Sequence, residues 1–468
     1  MLAVGGLLRL CAAVFSQGFL ASDDHHVVVP VADQIASGVG LAVTYERSVL
    51  YPGVIGAIMA VTRGIGIHDP GVEMMIVRIV QAAYSLLVVY FAYRILERAL
   101  GKESAMLGGL LTAAFFAMPV TAVHQLEESV CQVPMLAACW WWQRCEDSWG
   151  WAAAAGAALG TALILRFPLI GFVAAFVVVA LLRRGPVSLI DKAAFLGGLA
   201  LVVVLQGYSN AVVNHDWWYS FRERLGPMLH PQLMATDAQG YPSSPPWHYL
   251  LTLLGALIPP VSILLLAAAV KGGRRFPLLG LATLAFFVSH SMIANKQERF
   301  LLPMLPLLFI LAVAGLPWVA ARLPRVYRGM WWYFWIVNGA LLIVLTFSFT
   351  KKDRVAPLLY VYRRHDATGV LVAQFNQTFH VPDYYLGRPR PALVVATAPS
   401  QIATSEGPVN YVILYSDQPD VDRVTISRQL GRDLRLLAVI SPSLADRLAH
   451  AINPRHNKAR TAVIYTTS

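Results

Sequence analysis

The sequence predicts an all-α polytopic membrane protein with about eleven transmembrane helices, followed by a small α/β domain. The first observation is composition: hydrophobic residues make up 57% of the 468 residues and charged residues only 13%, with a mean hydropathy of +0.57. Soluble domains have roughly 45–50% apolar and about 25% charged residues, so a water-soluble enzyme and a disordered chain are excluded. The second observation is a series of long apolar runs, and the third is a change to short β-rich runs after residue 350.

Apolar runs that cross or nearly cross a bilayer account for the helical part. They lie at about 2–20, 73–96, 105–122, 130–142, 150–165, 167–182, 193–213, 249–270, 276–290, 300–320 and 331–349. The 130–142 run is short, so we expect it to be tilted or re-entrant. Pro168 divides the 150–182 stretch into two helices because proline ends a helix. The first run has no clear cleavage pattern before Asp23, so we expect a retained span rather than a signal peptide.

Basic residues in the loops predict the orientation. The formal net charge is +11, and much of the excess lies in short links between apolar runs, which is typical of membrane topology rather than of a nucleic-acid-binding face. With eleven spans, one set of loops carries 13 Lys and Arg residues, and the other set, without the tail, carries 7. The positive-inside rule places the first set in the cytosol. The loops at 21–72, 123–129, 214–248 and 291–299, together with the tail, then face the periplasm or the lumen of the endoplasmic reticulum.

Two domains are predicted, a transmembrane catalytic domain over 1–350 and an α/β domain outside the cytosol over 351–468. Predicted strands at 370–372, 392–395, 411–414 and 462–465 alternate with polar stretches that predict helices at 420–431 and 442–452. The Ala-rich spans and short loops favour the bacterial inner membrane. The sequon Asn376-Gln377-Thr378 keeps the endoplasmic reticulum membrane as the alternative.

Two acids and two histidines directly follow the first span, as Asp23-Asp24-His25-His26. Partial desolvation at a membrane boundary raises the pKa of a carboxyl group toward the range of a general base. One alternative is an N-cap for an interfacial helix, which needs a single aspartate. The other is a metal site, although neighbours in sequence rarely ligate one ion together. We expect Asp23 and Asp24 to be catalytic, and we expect no metal and no other cofactor.

Cationic residues form a second feature on the predicted outer side, where the positive-inside rule gives no reason for them. His290, Lys296 and Arg299 lie between two apolar runs, and Arg166 lies between two others. Such side chains at headgroup level can hold a lipid phosphate, and the alternative is an interfacial anchor that snorkels outward. We predict that these four residues bind the phosphate of a donor lipid.

Aromatic residues are frequent in the 214–248 loop, among them Trp217, Trp218 and Trp247. Interfacial aromatic residues ordinarily form a belt. They also grip sugars and isoprenoid chains, so composition leaves both interpretations open.

Five motifs, in order over roughly residues 15–310, resemble those of the lipid-linked mannosyltransferases, a GT-C family that includes GPI-anchor mannosyltransferases and lumenal α-mannosyltransferases of N-glycan assembly and has bacterial members. The matching segments are Asp23-Asp24, Thr44-Tyr45-Glu46 with Arg47-Ser48-Val49-Leu50-Tyr51-Pro52, Gly160 to Arg166-Phe167-Pro168, Pro246-Trp247-His248-Tyr249, and His290-Ser291 with Asn295-Lys296-Gln297-Glu298-Arg299-Phe300-Leu301-Leu302-Pro303. Two departures stand out: the family's His-Pro before the first acids is absent, and Asn295 replaces a histidine.

The resemblance implies a GT-C fold and transfer of mannose from a polyprenyl- or dolichyl-phosphate carrier to an acceptor glycan or glycolipid hydroxyl on the outer face, with inversion. It implies that Asp23, aligned with the family's first acid, is the base. Substrate-binding roles follow for Glu46, Arg47, Trp247, His248 and Glu298. A transporter or flippase of lipid-linked sugars is the main alternative, although such proteins place ionisable residues at mid-bilayer and here they gather in outer loops.

Overall fold

The computed structural model describes the chain except residues 22–23, 40–44, 184–186, 230–243, 376–377, 403–408, 453, 455–456 and 468. The chain forms two compact units. The first comprises Met1–Leu10, Leu41–Tyr51 and Gln81–Ile343, and the second comprises Cys11–Gly40, Pro52–Val80 and Val344–Ser468. The domain boundary predicted between residues 350 and 351 stays a prediction. Asp23 and the first two residues of the sequon, Asn376 and Gln377, lie outside the described residues.

Helices dominate the chain up to residue 346. They are α1 (Leu2–Phe15), α2 (Val29–Ala36), α3 (Leu50–Gly64), α4 (Pro70–Leu100), α5 (Lys102–Ala114), α6 (Ala117–Val123), α7 (Glu127–Val130), α8 (Gln132–Trp142), α9 (Trp149–Leu165), α10 (Ile170–Leu182), α11 (Leu189–Asn214), α12 (Tyr219–Leu229), α13 (His248–Ala256), α14 (Val261–Gly273), α15 (Pro277–Met292), α16 (Leu305–Arg322) and α17 (Pro324–Thr346). A π-helical turn covers Asp24–Val28, and 3₁₀ turns cover Phe167–Leu169 and Glu298–Met304.

Four helices are long and apolar enough to cross a bilayer: α4, α11, α17 and α16 with the turn that precedes it. The bent pairs α5–α6 and α13–α14 raise this number to as many as six among the described residues. Shorter apolar helices are α1, α9, α15, and α10 with its preceding turn. All of these coincide with predicted apolar runs, which confirms a mostly helical chain with several candidate spans. The total of eleven spans stays a prediction.

Glycines allow the helices of the first unit to pack at backbone distance. A Cβ on Gly156 of α9 would lie 1.9 Å from the carbonyl oxygen of Phe195 in α11. A Cβ on Gly315 of α16 would lie 1.9 Å from the carbonyl oxygen of Ala268 in α14. Small residues at helix contacts are typical of membrane helices, where close van der Waals packing takes the place of the hydrophobic effect.

The only charged residue in the first apolar run has a structural role. Arg9 is fully buried, and its guanidinium donates hydrogen bonds to Ser85 Oγ at 2.9 Å and to the carbonyl oxygens of Ala113 at 3.0 Å and Thr112 at 3.1 Å. A buried guanidinium with its donors satisfied is compatible with an apolar helix. Arg9 therefore fixes α1 against its neighbours within the first unit.

The end of the second unit contains the predicted small sheet. A separate two-stranded parallel sheet pairs β1 (Gln17–Gly18) with β2 (Phe349–Thr350). The strands of the predicted sheet and the helices around them are α18 (Lys352–Tyr362), β3 (Gly369–Gln374), β4 (Ala392–Ala396), β5 (Tyr411–Tyr415), α19 (Pro419–Leu430), β6 (Leu434–Ile440), α20 (Leu444–Ile452) and β7 (Ala462–Thr467). The strand order is β4-β3-β5-β7-β6, with β3 parallel to β4 and β5 and with β7 antiparallel to β5 and β6. The predicted strands are confirmed, and β6 is an additional one.

A C-terminal fusion tests the orientation of the tail. The loop charges predict that residues from Lys351 onward lie outside the cytosol, so a reporter that is active only in the cytosol should stay inactive when fused to the C-terminus. A reporter that is active only outside the cytosol, fused at the same position, is the matched control and should give signal. A strong cytosolic signal would contradict both the orientation and the outer location of the site.

Candidate functional site

Two adjacent glutamates lie at the centre of a charged cluster in the first unit. Glu127 and Glu128 belong to the short helix α7, and their side chains are 7% and 2% exposed. A buried carboxylate is stable as an ion only where cations or hydrogen-bond donors surround it. Here the surrounding groups are guanidiniums from three distant parts of the chain.

Arg47, Arg166 and Arg299 meet these glutamates. Arg47 Nη1 lies 3.2 Å from Glu127 Oε2, and Arg166 Nη1 lies 3.7 Å from the same oxygen. Glu128 Oε1 lies 3.0 Å from Arg166 Nη2 and 3.7 Å from Arg299 Nε. We call these five residues the charged cluster. Counted over these five described residues, three guanidiniums and two carboxylates give a net charge of +1, which suits the cluster to an anion.

Local sequence explains the position of the central arginine. Arg166 ends α9, and Pro168 stands within the 3₁₀ turn that follows, so the chain leaves the helix at the arginine. The Arg166 guanidinium lies 4.8 Å from the ring centre of Phe300, and that of Arg299 lies 5.3 Å from it. One aromatic ring thus holds two like charges near each other through cation–π contacts.

Lys296 adds a fourth cation in the same unit. Its Nζ donates to the carbonyl oxygen of Ile293 and lies 5.7 Å from the ring centre of Tyr249. Burial lowers the pKa of this ammonium group below its ordinary value. A bound anion would favour the charged form. Gln297 follows Lys296 in the chain, and its side-chain oxygen accepts a hydrogen bond from Arg299 Nε at 2.8 Å. Its backbone N–H donates to Tyr249 Oη at 3.2 Å. Gln297 therefore connects Arg299 to Tyr249, the same residue that Lys296 contacts.

The segment that carries Glu46 and Arg47 is fixed by hydrogen bonds to its backbone. Tyr45 N donates to Asn214 Oδ1 at 2.9 Å, and Asn214 Nδ2 donates to the carbonyl oxygen of Tyr45 at 3.2 Å. Glu46 pairs with Arg224 at 2.9 Å. Burial lowers the pKa of Arg224. The positive charge of Arg47 lowers this pKa further, and the negative charge of Glu46 acts to raise it. Arg224 therefore lies within electrostatic reach of the charged cluster.

The remaining residues predicted in this unit are placed differently. His290 is buried, its ring lies 3.9 Å from that of Phe286, and its Nδ1 is 3.0 Å from the carbonyl oxygen of Phe286. Trp247 is 63% exposed, His248 is half-buried at the start of α13, and Glu298 is exposed. The structure thus brings Arg47, Arg166 and Arg299 together, and their predicted roles in binding stay predictions.

The predicted acids belong to the second unit. Asp23 lies outside the described residues, and Asp24 begins the π-helical turn, with its side chain also outside the description. The next residue, His25, is buried, and its Nε2 is 2.8 Å from Tyr385 Oη. Its ring stacks on Phe19 at 4.6 Å and on Tyr385 at 5.4 Å. His25 is therefore engaged in packing, and it fixes the chain directly after the acids.

A second ion network lies in helix α2, which follows the π-helical turn. Asp33 is 2% exposed and pairs with Arg63 at 2.7 Å, with Arg388 at 2.8 Å and with Arg390. Arg63 also pairs with Glu73 at 2.8 Å. Burial alone would raise the pKa of Asp33, but hydrogen bonds from Arg388 and Arg63 hold it below its ordinary value. This network fixes α2 to distant parts of the second unit.

Replacing Asp33 by asparagine should destabilise the protein by about 3 kcal/mol, which is the lower end of the range for breaking a buried ion pair. We expect the lower end because the side chains of Arg388 and Arg390 are partly exposed to water. Because the pKa of Asp33 is lowered on folding, its contribution exists above the unfolded-state pKa of about 3.9 and is lost as the pH falls below it. Thermal unfolding in detergent at neutral and acidic pH measures both effects. Asp383→Asn, which removes an exposed partner of Arg390, is the control and should cost less than about 1 kcal/mol. Equal losses would contradict the proposed role of the network.

After Asp23 and Asp24, the sequence makes Glu46, Glu127 and Glu128 the next candidates for the base, but it gives no sign of the Asp33 network. The signal for Glu127 and Glu128 is a pair of acids in a short link between apolar runs. The partners of Asp33 lie more than 350 positions away, at Arg388 and Arg390, so no local pattern could indicate them. Within the described part of the chain, no group of three or more His, Cys, Asp or Glu side chains is arranged to hold a metal ion.

The sequence model of the Alg9-like mannosyltransferase family matches residues 6–369. None of the curated proteins is significantly similar to the chain in sequence. Among solved structures, ArnT from Cupriavidus metallidurans bound to undecaprenyl phosphate is similar with a TM-score of 0.63 and 14% identity, over 99% of this chain and 97% of ArnT. ArnT in the apo state gives a TM-score of 0.58 and 18% identity over the same shares.

A further similar structure is the apo form of the oligosaccharyltransferase from Archaeoglobus fulgidus. It gives a TM-score of 0.53 and 9% identity over 92% of this chain and 70% of that protein. These proteins are GT-C glycosyltransferases. At such low identity the similarity shows the fold, and it agrees with the GT-C fold that the motifs imply.

Proposed function

Since the chain belongs to the Alg9-like mannosyltransferase family and is a multi-pass membrane glycosyltransferase, we propose that it transfers mannose from a polyprenyl- or dolichyl-phosphate carrier to a hydroxyl of an acceptor glycan or glycolipid. The reaction takes place on the outer face of the membrane, and the bacterial inner membrane is the proposed location. Nucleotide sugars are confined to the cytosol, so a lipid carrier must deliver the sugar to that face.

The observation that carries this proposal is the net positive charge of the charged cluster. In the reaction, the bond between the anomeric carbon and a phosphate oxygen breaks, and the electron pair stays on the polyprenyl phosphate. Cations placed where this negative charge develops stabilise the transition state. Arg166 and Arg299, held over one ring and only 11% and 15% exposed, are the proposed phosphate ligands. Lys296 is proposed to assist, because its amine is buried and its charged form would gain from a neighbouring phosphate.

His290 has a more limited proposed role. Its Nδ1 is already engaged with the backbone of Phe286, which leaves Nε2 as the only ring nitrogen for a phosphate oxygen. We therefore rank it after the three cations as a donor-phosphate ligand.

The acceptor side requires a base. A new bond forms between the acceptor oxygen and the anomeric carbon, the configuration inverts, and the acceptor proton passes to a carboxylate. Asp23 is the proposed base, because it aligns with the first acid of the family motif and follows the first apolar helix. Glu46, Arg47, Trp247, His248 and Glu298 are the proposed contacts to the sugars. An exposed indole such as that of Trp247 is suited to stack on a sugar ring.

A carrier lipid is supported by one solved relative, since ArnT was captured with undecaprenyl phosphate. The alternative function is translocation of lipid-linked sugars across the bilayer. Transfer is favoured over translocation because the cations and acids of the charged cluster lie at the ends of apolar helices or in the segments between them, rather than at mid-helix.

The experiment uses the purified full chain in vesicles that contain labelled polyprenyl-phosphate-mannose, with several glycan and glycolipid acceptors. The proposal predicts that label moves from the donor to an acceptor and that polyprenyl phosphate is released in equal amount. A flippase would change the leaflet of the intact donor without forming product. Vesicles without protein are the control, and redistribution of intact donor without product would contradict the proposal.

A further inference from the structure

A cavity in the first unit lies apart from the charged cluster. It measures about 590 Å³ and lies between the end of α8, the end of α10 and the start of α15. Its lining residues are Cys139, Trp142, Gln143, Val179, Leu182, Arg183, Arg275, Phe276, Pro277, Leu278, Leu279 and Leu281. The loops at this end carry the basic residues that predict the cytosolic side.

The walls of the cavity continue into an exposed apolar surface. Leu182 is 73% exposed and Leu281 is 50% exposed, although both line the cavity. Val178, next to the lining residue Val179, is 53% exposed. An exposed apolar patch of this kind is typical of a surface that contacts lipid. The cavity therefore adjoins the acyl-chain region on one side.

The polar groups at the cavity are mainly donors and cations. Arg275 is exposed, and Arg183 pairs with Glu146 at 3.1 Å. Trp142 is 98% buried, and among the described residues its indole Nε1–H has no acceptor. Gln143 Oε1 is the one acceptor there without a partner in the described chain. Two guanidiniums against one carboxylate leave a net charge of +1, so an anion with hydrogen-bond acceptors is the complementary ligand.

We propose that this cavity binds an anionic glycerophospholipid. The phosphate contacts Arg275 and Arg183, an ester carbonyl oxygen accepts from Trp142 Nε1, and one acyl chain lies along Leu182 and Leu281. A free phosphate or a nucleotide would leave the apolar walls uncovered. A glycerophospholipid covers them and supplies acceptors at the depth of the indole.

The experiment measures lipid retention by native mass spectrometry of the purified full chain, with phosphatidylglycerol and phosphatidylcholine offered in equal amounts. We expect phosphatidylglycerol to be retained about tenfold better. Arg275→Gln should weaken its retention about tenfold, because a charge-assisted hydrogen bond is lost. Trp142→Phe should weaken it about threefold while keeping the ring that packs against Phe195 at 4.9 Å.

Arg274→Gln is the matched control, because Arg274 is the exposed neighbour of Arg275 and does not line the cavity. It should leave retention unchanged. Equal retention of the two lipids, or equal losses in Arg274→Gln and Arg275→Gln, would overturn the proposal in favour of general surface charge. In a competition experiment, inorganic phosphate or undecaprenyl phosphate is added to the protein with bound phosphatidylglycerol. If either one displaces the bound lipid at a lower concentration than added phosphatidylglycerol does, the choice of ligand is wrong. Sugar transfer is not the readout, so the test is independent of the proposed function.

Discussion

Replacing Asp23 by asparagine is expected to leave a folded, donor-binding protein whose rate of mannose transfer is lower by about 10²–10⁴, the usual effect of removing a general base. Asparagine keeps the size of the side chain but cannot accept the acceptor proton. The measurement is the single-turnover rate of transfer from labelled donor, together with donor binding by the same preparation.

Asp24→Asn is the matched variant. Asp24 begins the π-helical turn over Asp24–Val28, and the loss of a helix cap costs only about 1 kcal/mol of stability with little effect on chemistry. If Asp24→Asn is inactive and Asp23→Asn is active, the assignment is reversed. If both are active, the base lies elsewhere and the proposed mechanism is wrong.

If neither Asp23 nor Asp24 is the base, the next candidates from the sequence are Glu46, Glu127 and Glu128, in that order, and the geometry around them keeps Glu46 first. Glu127 and Glu128 are buried, and each lies near two guanidiniums, so both carboxylates are engaged in the charged cluster. Glu46 is 54% exposed and has Arg224 as its ion-pair partner at 2.9 Å. Glu46 is therefore the next residue to test.

Replacing Arg299 by alanine should weaken use of the donor about tenfold to a hundredfold. A charge-assisted hydrogen bond contributes about 1.5–3 kcal/mol, and about 1.4 kcal/mol corresponds to a factor of ten. The fold should survive, because Glu128 keeps its closer partner Arg166 at 3.0 Å. The measurement is kcat/KM for the polyprenyl-phosphate-linked donor, with the melting temperature recorded alongside.

Arg222→Ala serves as the control for Arg299→Ala. Arg222 is another arginine of the predicted outer loops, but its side chain is 59% exposed and pairs with Asp216 at 2.8 Å. Its loss should leave donor kinetics within about twofold of the wild type, as expected for an exposed pair. Near-normal donor kinetics in a well-folded Arg299→Ala variant would count against the phosphate-binding role.

Most of the fold could be predicted because hydrophobicity marks helices that lie in a bilayer. Pro168 indicated the break between α9 and α10, and the β-rich runs indicated four strands of the sheet. Strand β6 escaped detection. It contains Arg435, it is irregular between Leu436 and Ala438, and its mixed pattern does not alternate as an amphipathic strand does.

The candidate site was only partly predictable, for a different physical reason. Arg166 and Arg299 were recognisable because cations are unexpected on the predicted outer side. Their meeting at Glu128 is a tertiary contact between segments more than 130 residues apart, and no spacing in the sequence encodes it. His290 and Glu298 lie close to Arg299 in sequence, yet one is buried against Phe286 and the other is exposed.

Which donor the purified protein uses in vesicles tests the proposed reaction most directly. Labelled mannose is offered either as polyprenyl-phosphate-mannose or as the nucleotide sugar GDP-mannose, with the same acceptor and with Asp23→Asn as the inactive reference. Acceptor-bound label is expected from the lipid-linked donor with the wild-type chain, and only background label is expected with GDP-mannose or with the variant. Transfer from GDP-mannose that equals or exceeds transfer from the lipid-linked donor would contradict the proposed reaction.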